Sequence, residues 1–287
     1  MDVGIGLPAA IPGVEPGQLL EWSRRAEARG FSSLATLDRI VYPNYEPLIA
    51  LAAAAAVTER IRLATTIMIV PYRGGGALVA KQAATLQHLS GGRLVLGLAV
   101  GGREDDFDAN RADFHGRGKA FDAQLDDMRR VWSSEDFGYA GGVGPEVAEP
   151  PPVLIGGSAD VAFRRAAAHD GWVMGGGSPD QFRAGAAKLA EAWQAAGRDG
   201  EPRTMALAYV ALGERADDAA QRYLGHYYAW LGEEVAGAIA GSAAKDADTV
   251  SAYVQAFEEA GCGELMLMPC DPDPGQVDLL ADALGIG

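Results

Sequence analysis

Three consecutive segments decide the fold of this chain: LSGGR at residues 89–93, LVLGLAV at 94–100 and GGREDDF at 101–107. A helical pattern leads into the first segment, and the two glycines are expected to end that helix because glycine adopts the left-handed conformation of a helix C-terminus. The seven apolar residues that follow suit a parallel strand buried on both faces. Ligands of α/β proteins bind at the loop after such a strand, so we expect chemistry near residues 101–107.

Strand-like runs and helical patterns alternate from one end of the chain to the other. The apolar runs cover residues 3–7, 31–37, 61–70, 94–100, 153–155, 172–174, 205–212 and 264–268. Eight βα units predict an α/β fold with a parallel sheet, and eight strands close a (β/α)8 TIM barrel of about 250 residues. A doubly wound open sheet is the alternative. One domain is therefore predicted over residues 1–287.

Two regions exceed the minimal βα unit. Residues 133–152 are rich in glycine, proline and acidic side chains and are predicted to be a surface loop. After the seventh strand, a helical insertion is predicted over residues 216–260. Its aromatic stretch from Tyr223 to Trp230 either caps a ligand site or packs the insertion onto the barrel.

Charge and composition exclude several classes of function. The net charge is −15, from 24 basic and 39 acidic residues, and it disfavours nucleic acid and anionic membranes as partners. Neither a secretory leader nor a transmembrane run is recognisable, so a cytoplasmic protein is expected. Cys262 and Cys270 flank one short apolar run and are expected to be free thiols. Two cysteines and four scattered histidines lack metal-ligand spacing, so no metal site is expected.

Glycine-rich turns after the fifth and sixth strands indicate a phosphate site. Residues 156–158 and 175–178 read GGS and GGGS, and each turn precedes a predicted helix. Glycine lets the backbone approach a ligand closely, and free N–H groups at a helix start attract phosphate. Ser158 and Ser178 are the expected N-caps, and Arg117 is the candidate cation. The candidate cofactor-binding residues in these turns are Gly156, Gly157, Ser158, Gly176 and Gly177. Two ordinary βα turns are the alternative.

Several segments resemble the bacterial luciferase-like flavin-dependent oxidoreductases, and the similarity extends over nearly the whole chain. It is carried by LSGGRL at 89–94 with Gly97, Gly101 and the acidic stretch to Phe107, by AEARGF at 26–31 with Asp38, by AAVTERIRL at 55–63 and by IGGS at 155–158. The resemblance implies a (β/α)8 barrel with an interrupted seventh or eighth unit. It also implies that FMN or the deazaflavin F-420 binds at the strand C-termini.

The resemblance assigns parts of the cofactor to individual residues. A cis peptide bond between Thr66 and Ile67 is expected to support the flavin ring. Ser158 and Arg117 are expected to hold the FMN phosphate.

The resemblance also implies the reaction, a two-component monooxygenation in which reduced FMN from a separate flavin reductase and O2 oxygenate a small organic substrate. Asp38, Arg39 and Glu104 are the predicted catalytic residues beside the ring, and Gly101 and Gly102 make room for it. An F-420-dependent reductase or dehydrogenase is the alternative on the same fold, although Arg39 stands where many such enzymes carry a histidine. A flavin-binding protein without turnover is the alternative of another class. Because family members are often dimers, a homodimer is expected.

Overall fold

Eight short apolar segments form a closed parallel barrel in the computed structural model, which describes residues 1–138 and 141–287. Strands that follow one another along the chain are paired, and the last strand pairs with the first, so that Asp2 lies opposite Glu264. The strands are β1 (Asp2–Gly6), β2 (Ser33–Thr36), β3 (Arg62–Ile69), β4 (Leu94–Ala99), β5 (Val153–Gly156), β6 (Gly171–Met174), β7 (Arg203–Val210) and β8 (Glu264–Pro269). The predicted (β/α)8 barrel is confirmed, and the open sheet is wrong because the sheet closes on itself.

Helices surround the barrel, and several begin where the sequence places a proline. They are α1 (Pro16–Arg29), α2 (Pro47–Ala55), α3 (Gly76–Leu89), α4 (Glu104–Ala109), α5 (Arg117–Trp132), α6 (Asp160–Ala167), α7 (Pro179–Ala195), α8 (Ala216–Tyr227), α9 (Glu233–Gly241), α10 (Ala247–Glu259) and α11 (Gly275–Leu284). Pro16, Pro47 and Pro179 occupy first helical positions, where the missing N–H has no partner to lose.

Strand β4 lies in the core, as its composition predicts. All six of its residues are buried. Gly97 has a packing role, because a Cβ at this position would lie 2.3 Å from the carbonyl oxygen of Thr65 on β3. A larger residue would therefore push β3 and β4 apart at the middle of the barrel.

The LSGGR turn fastens the end of the barrel opposite the strand C-termini. Helix α3 ends at Leu89, and Gly91 and Gly92 adopt positive φ values of 67° and 88°. The Arg93 guanidinium donates hydrogen bonds of 2.7–3.3 Å to the carbonyl oxygens of Ser90, Ala55, Thr58 and Ile61 and to the Thr58 hydroxyl. This motif is therefore scaffold, and its arginine links the α3–β4 turn to the α2–β3 turn.

Glu27 on α1 holds the same α2–β3 turn from the other side. Its carboxylate accepts hydrogen bonds of 2.6–3.0 Å from the backbone N–H groups of Glu59, Arg60 and Ile61. Partial burial raises the pKa of Glu27, but the three N–H donors outweigh it and the pKa is lowered overall. The AEARGF and AAVTERIRL segments are thus joined through one carboxylate.

Two local predictions are wrong. Residues 104–109 form helix α4 although a loop was predicted over 101–107, because three acidic residues in a first turn suit a helix N-terminus. Ala159, one residue later than Ser158, is the N-cap of α6. The other expected cap is confirmed, since Ser178 forms a capping box with Gln181 at the start of α7.

The larger features agree with the sequence. The insertion after β7 consists of α8, α9 and α10, with a 3-10 turn at Ala229–Leu231. The predicted surface loop contains neither helix nor strand over residues 133–138 and 141–152, and Tyr139 and Ala140 lie outside the described residues. Both cysteines are free and buried. Within the described ranges, no helix is long and apolar enough to cross a membrane. The homodimer stays a prediction.

Candidate active site

Two adjoining cavities open at the C-terminal ends of the strands, where TIM-barrel enzymes carry their active sites. The first, here called the central cavity, has a volume of about 170 Å³ and lies among the ends of β2 and β3, helix α4 and the insertion. The second, here called the groove, has about 600 Å³ and extends from β3 to the starts of α6 and α7. Ile67, Ile69, Gly101 and Gly175 line both cavities. The two spaces therefore meet at the end of β3.

Ile67 stands at the junction of the two cavities. The Thr66–Ile67 peptide bond is cis, as predicted, and the register of β3 against β4 shifts between Thr65 and Met68. A Cβ on Gly156 would lie 2.5 Å from the Cδ1 atom of Ile67, and one on Gly175 would lie 3.2 Å from it. These two glycines leave the space in which the Ile67 side chain sits.

Asp38 lies buried in the wall of the central cavity. Its Oδ2 atom accepts hydrogen bonds from the Ile69 N–H at 2.8 Å, the Tyr72 hydroxyl at 2.8 Å and the Arg73 guanidinium at 2.9 Å. Its Oδ1 atom is buried without a hydrogen-bond partner among residues 1–138 and 141–287. Burial raises the pKa of Asp38, and the Arg73 charge opposes the rise. The carboxylate is thus fixed by one oxygen, and its other oxygen is buried without a partner among the described residues.

Asp106 connects helix α4 to the segment that follows β2. Its Oδ1 atom accepts the backbone N–H groups of Ile40 and Val41 at 2.9 and 2.7 Å, and its Oδ2 atom accepts the Arg103 Nε–H at 3.1 Å. The Arg103 guanidinium lies 5.8 Å from the ring centroid of Trp230. This network orients Arg103 at the mouth of the central cavity and neutralises its charge.

The aromatic stretch of the insertion both lines the site and packs on the barrel. Tyr227, Tyr228 and Trp230 line the central cavity. Tyr223 is buried behind them, with its ring centroid 5.5 Å from that of Tyr227. The hydroxyl of Tyr228 lies 2.7 Å from that of Tyr209 on β7. Packing on the barrel is therefore confirmed for Tyr223, whereas a capping role toward a ligand stays a prediction for the three cavity-lining residues.

The groove carries the features expected of a phosphate site. Gly156, Gly157 and Ser158 lie at its β5 end, and the hydroxyl of Ser158 makes no hydrogen bond to another described residue. Helices α6 and α7 begin beside it. The first N–H groups of α6 lack intrahelical partners, whereas α7 starts with Pro179, which has no N–H, and Ser178 caps its Gln181 N–H. Lys188 of α7 also lines the groove, with its ammonium 3.0 Å from Asp160. One end of the groove can thus bind an anion.

Nine of the predicted site residues line these cavities. They are Asp38, Thr66, Ile67, Gly101 and Gly102 in the central cavity, and Gly156, Gly157, Ser158 and Gly176 in the groove, which Ile67 and Gly101 also line. Their roles toward a cofactor stay predictions. The sequence brought them together correctly because each lies in the C-terminal half of a barrel strand or in the loop after it, and the strand C-termini share one end of a barrel.

Arg39 and Glu104 do not occupy their predicted places beside the ring. The Arg39 guanidinium donates to the Tyr227 carbonyl at 2.9 Å and lies 4.7 Å from the Tyr42 ring centroid, on the outer side of the aromatic wall. Burial and the nearby Arg103 charge lower the pKa of Arg39. Glu104 is exposed at the first position of α4, and two residues later the helix turns Asp106 to the cavity instead.

Arg117 and Gly177 also line neither cavity. The Arg117 guanidinium donates to the carbonyl oxygens of Gly101 at 3.1 Å and Phe114 at 2.7 Å, and it lies 3.9 Å from the Phe114 ring centroid. It therefore supports the Gly101 turn rather than the groove. Gly177 has a φ of 137° and lies against Gln181, which forms the α7 capping box.

Sequence reasoning missed several residues that line the site. They are Tyr72, Arg103, Asp106 and Lys188. Asp106 and Arg103 stand in the segment already singled out, and a helical reading of 104–109 would have selected Asp106. Tyr72 and Lys188 gave no sequence signal. The described residues contain no group of three or more His, Cys, Asp or Glu side chains that could hold a metal ion.

Comparison with known proteins decides the family. The model of the luciferase-like monooxygenase family matches residues 1–264. The chain belongs to this family. Proteins similar to it in sequence include the uncharacterised protein Rv0940c of Mycobacterium tuberculosis, which is 34% identical over 190 residues. The match covers 56% of this chain and 66% of that protein. The pyrimidine monooxygenase RutA of Escherichia coli is 28% identical over 217 residues, 67% of this chain and 56% of RutA.

Solved structures share the fold over the full chain. An F420-dependent secondary alcohol dehydrogenase, in complex with an F420-acetone adduct, has a TM-score of 0.83 and 18% identity, and the match covers 99% of this chain and 98% of that chain. The oxygenating constituent of 3,6-diketocamphane monooxygenase from the CAM plasmid of Pseudomonas putida, in complex with FMN, has a TM-score of 0.70 and 18% identity at the same coverage. The fold thus serves both flavin and deazaflavin enzymes.

Proposed function

We propose that this luciferase-like protein is the oxygenating component of a two-component monooxygenase that uses reduced FMN from a separate reductase. The observation that carries the proposal is the junction at Ile67, where a polar–aromatic cavity meets a groove that ends beside the starts of α6 and α7. A planar ring joined by a chain to a phosphate matches this shape and polarity. Reduced FMN would supply two electrons to O2, so that one oxygen atom enters the substrate and the other leaves as water.

The residues present fit FMN on two independent features. First, the unpartnered Oδ1 atom of Asp38 is a buried acceptor of the kind that a flavin N–H requires. Second, Gly156 and Gly175 let the Ile67 side chain sit back at the junction of the two cavities, where a Cβ on either glycine would push it forward. Asp38 and Ile67 would contact the ring, while Ser158, the α6 N-terminus and Lys188 would hold the phosphate.

The chain's own residues would orient the cofactor and exclude water. Tyr72 and Arg73 hold Asp38 in place, and Arg117 holds the Gly101 turn. These three side chains would therefore position the groups that contact the ring without contacting it themselves. Trp230 lies over the mouth, with its ring edge 4.0 Å from a Cβ position on Gly102. Exclusion of water protects a reactive cofactor from side reactions.

FMN is preferred to F-420 because this chain lacks the histidine that many F-420-dependent enzymes carry directly after the aspartate that matches Asp38. The next residue is Arg39, and its guanidinium is turned to the Tyr227 carbonyl, outside the central cavity. An arginine also stays protonated at neutral pH and is a poor general acid.

Titration with both cofactors tests the proposal. Calorimetry with oxidised FMN, anaerobically reduced FMN and F-420 is expected to give the tightest binding for reduced FMN. A flavin reductase and NADH are then added, and O2 consumption is followed across a panel of small organic compounds. Saturable binding of F-420 alone would replace the proposal by the deazaflavin enzyme. FMN binding without substrate-dependent oxidation across the panel would favour a flavin-binding protein without turnover.

A further inference from the structure

A pair of tyrosine hydroxyls stands at the edge of the central cavity. Tyr209 of β7 is buried and does not line the cavity, whereas Tyr228 does. Their hydroxyl oxygens lie 2.7 Å apart, and neither hydroxyl makes another hydrogen bond within residues 1–138 and 141–287. Either oxygen could donate on distance alone, so the direction has to be decided by what each hydroxyl can reach.

Burial decides the direction. The Tyr209 proton has only the Tyr228 oxygen as an acceptor, and a buried polar group without a partner costs about 1–3 kcal/mol. Tyr228 has the cavity as a second neighbour, so its proton can be satisfied there by a ligand or by water. Tyr209 therefore donates and Tyr228 accepts, which leaves the Tyr228 proton for the cavity.

Ionisation does not remove this donor at neutral pH. Burial raises the pKa of both phenols. The hydrogen bond from Tyr209 and the charge of Arg103 oppose the rise at Tyr228. Tyr228 thus stays protonated at neutral pH and keeps its proton for donation.

We propose that Tyr228 donates a hydrogen bond to a carbonyl oxygen of the substrate, that Tyr209 is its positioning residue, and that the substrate class is small uncharged ketones and related carbonyl compounds. This inference rests on the proposed function, because it places the substrate in the central cavity beside FMN. Apolar side chains also line this cavity, among them Leu37, Leu207 and Phe107. Arg103 is already paired with Asp106, so the cavity offers a neutral donor and no unpaired cation for a carboxylate.

The test uses cyclohexanone labelled with 13C at its carbonyl carbon and follows that carbon by NMR. The ketone is titrated into the FMN-loaded protein and, separately, into the flavin-free protein. In both forms we expect saturable binding and a downfield shift of the bound carbonyl, because a hydrogen bond to the oxygen withdraws electrons from the carbon. Wild type is compared with Tyr228→Phe, Tyr209→Phe and Tyr253→Phe.

Each variant has its own expected result. Tyr228→Phe should lose the downfield shift and bind the ketone about fivefold more weakly, the equivalent of about 1 kcal/mol. Tyr209→Phe should keep part of the shift and weaken binding about twofold, because the donor remains but is no longer held. Tyr253 lies on α10, outside the cavity, and its hydroxyl donates to the Ser242 carbonyl, so Tyr253→Phe should match wild type.

Three results would overturn the inference. They are no saturable ketone binding to wild type, a carbonyl shift that survives in Tyr228→Phe, and tighter binding by Tyr209→Phe. The last would mean that Tyr228 donates to Tyr209 and that removing Tyr209 frees its proton. FMN binding is measured in a separate experiment, by the change in flavin absorbance. A protein that binds the ketone in a Tyr228-dependent way without binding FMN would refute the proposed function and retain the hydrogen bond.

Discussion

Gly156→Ala should weaken FMN binding while leaving the fold intact. The added Cβ would lie 2.5 Å from the Ile67 Cδ1 atom and 3.2 Å from the Ala99 Cβ, whereas carbon atoms normally approach to about 3.5–4.0 Å. The φ of Gly156 is not positive, so alanine fits the backbone at this position. The end of the Ile67 side chain must therefore move away by about 1 Å, into the space where the two cavities meet.

The size of the effect follows from the cost of overpacking. Extra methyl groups in packed sites typically cost about 1–3 kcal/mol. If this cost falls on the bound state, FMN binds about 5- to 150-fold more weakly, and the melting temperature changes little because Ile67 moves into open space. Isothermal titration calorimetry with FMN and a thermal melt measure the two quantities on the same sample.

Two further variants make the reasoning refutable. Ile67→Val removes the Cδ1 atom, so the double variant Gly156→Ala/Ile67→Val should recover most of the FMN affinity lost in Gly156→Ala. Gly237→Ala, on the exposed face of α9 with nothing within 4 Å of its Cβ, should leave FMN affinity unchanged. Wild-type affinity in Gly156→Ala, or strictly additive losses in the double variant, would show that the Ile67 junction is not part of the cofactor site.

The remaining predictions concern the groove and the scaffold. Lys188→Ala should weaken FMN binding, measured by calorimetry, about three- to fivefold, and the loss should be larger at low salt than at high salt. Lys119→Ala makes the same change in charge at an exposed position and should leave FMN binding unchanged. Arg93→Lys should lower the free energy of unfolding by about 2–4 kcal/mol in urea titrations, because a lysine ammonium can replace few of the hydrogen bonds that the Arg93 guanidinium makes to backbone carbonyls. An equal loss in the exposed Arg24→Lys would contradict this reasoning. Glu27→Gln should destabilise by about 1 kcal/mol at pH 7. Because the pKa of Glu27 is lowered from its ordinary value of 4.5, its carboxylate stabilises the fold fully at pH values above 4.5. The difference in unfolding free energy between wild type and Glu27→Gln should therefore narrow as the pH falls below 4.5, and a constant difference would refute the prediction.

Sequence patterns settled the architecture because they are local and repeated. Eight apolar runs of strand length, each followed by a helical pattern, leave a barrel or an open sheet, and the glycine pair in LSGGR marks a helix end wherever it occurs. The same patterns placed Asp38, Ile67 and Gly156 at one end of the barrel, because each residue lies near or just after the C-terminal end of a strand. Family resemblance added the cis bond at Ile67, which the chain's own pattern does not reveal.

Side-chain direction was decided only by the tertiary structure. Arg39, Glu104 and Arg117 stand in the correct loops, yet their charged groups turn to a backbone carbonyl, to solvent and to the Gly101 turn. A one-residue change in helical position rotates a side chain by about 100°, so choosing Glu104 or Asp106 needs the start of α4 to be known.

Contacts between distant parts of the chain were also beyond the sequence. The hydroxyl pair joins Tyr209 to Tyr228 across a strand and a helix, and Glu27 reaches a turn more than thirty residues away. Such contacts depend on how the barrel closes and how the insertion folds over it. The sequence by itself therefore determined the barrel, its open end and the family, because strand and turn signals are local. Tertiary packing alone decided which polar groups remain free to meet a ligand, namely one oxygen of Asp38 and the hydroxyl of Tyr228.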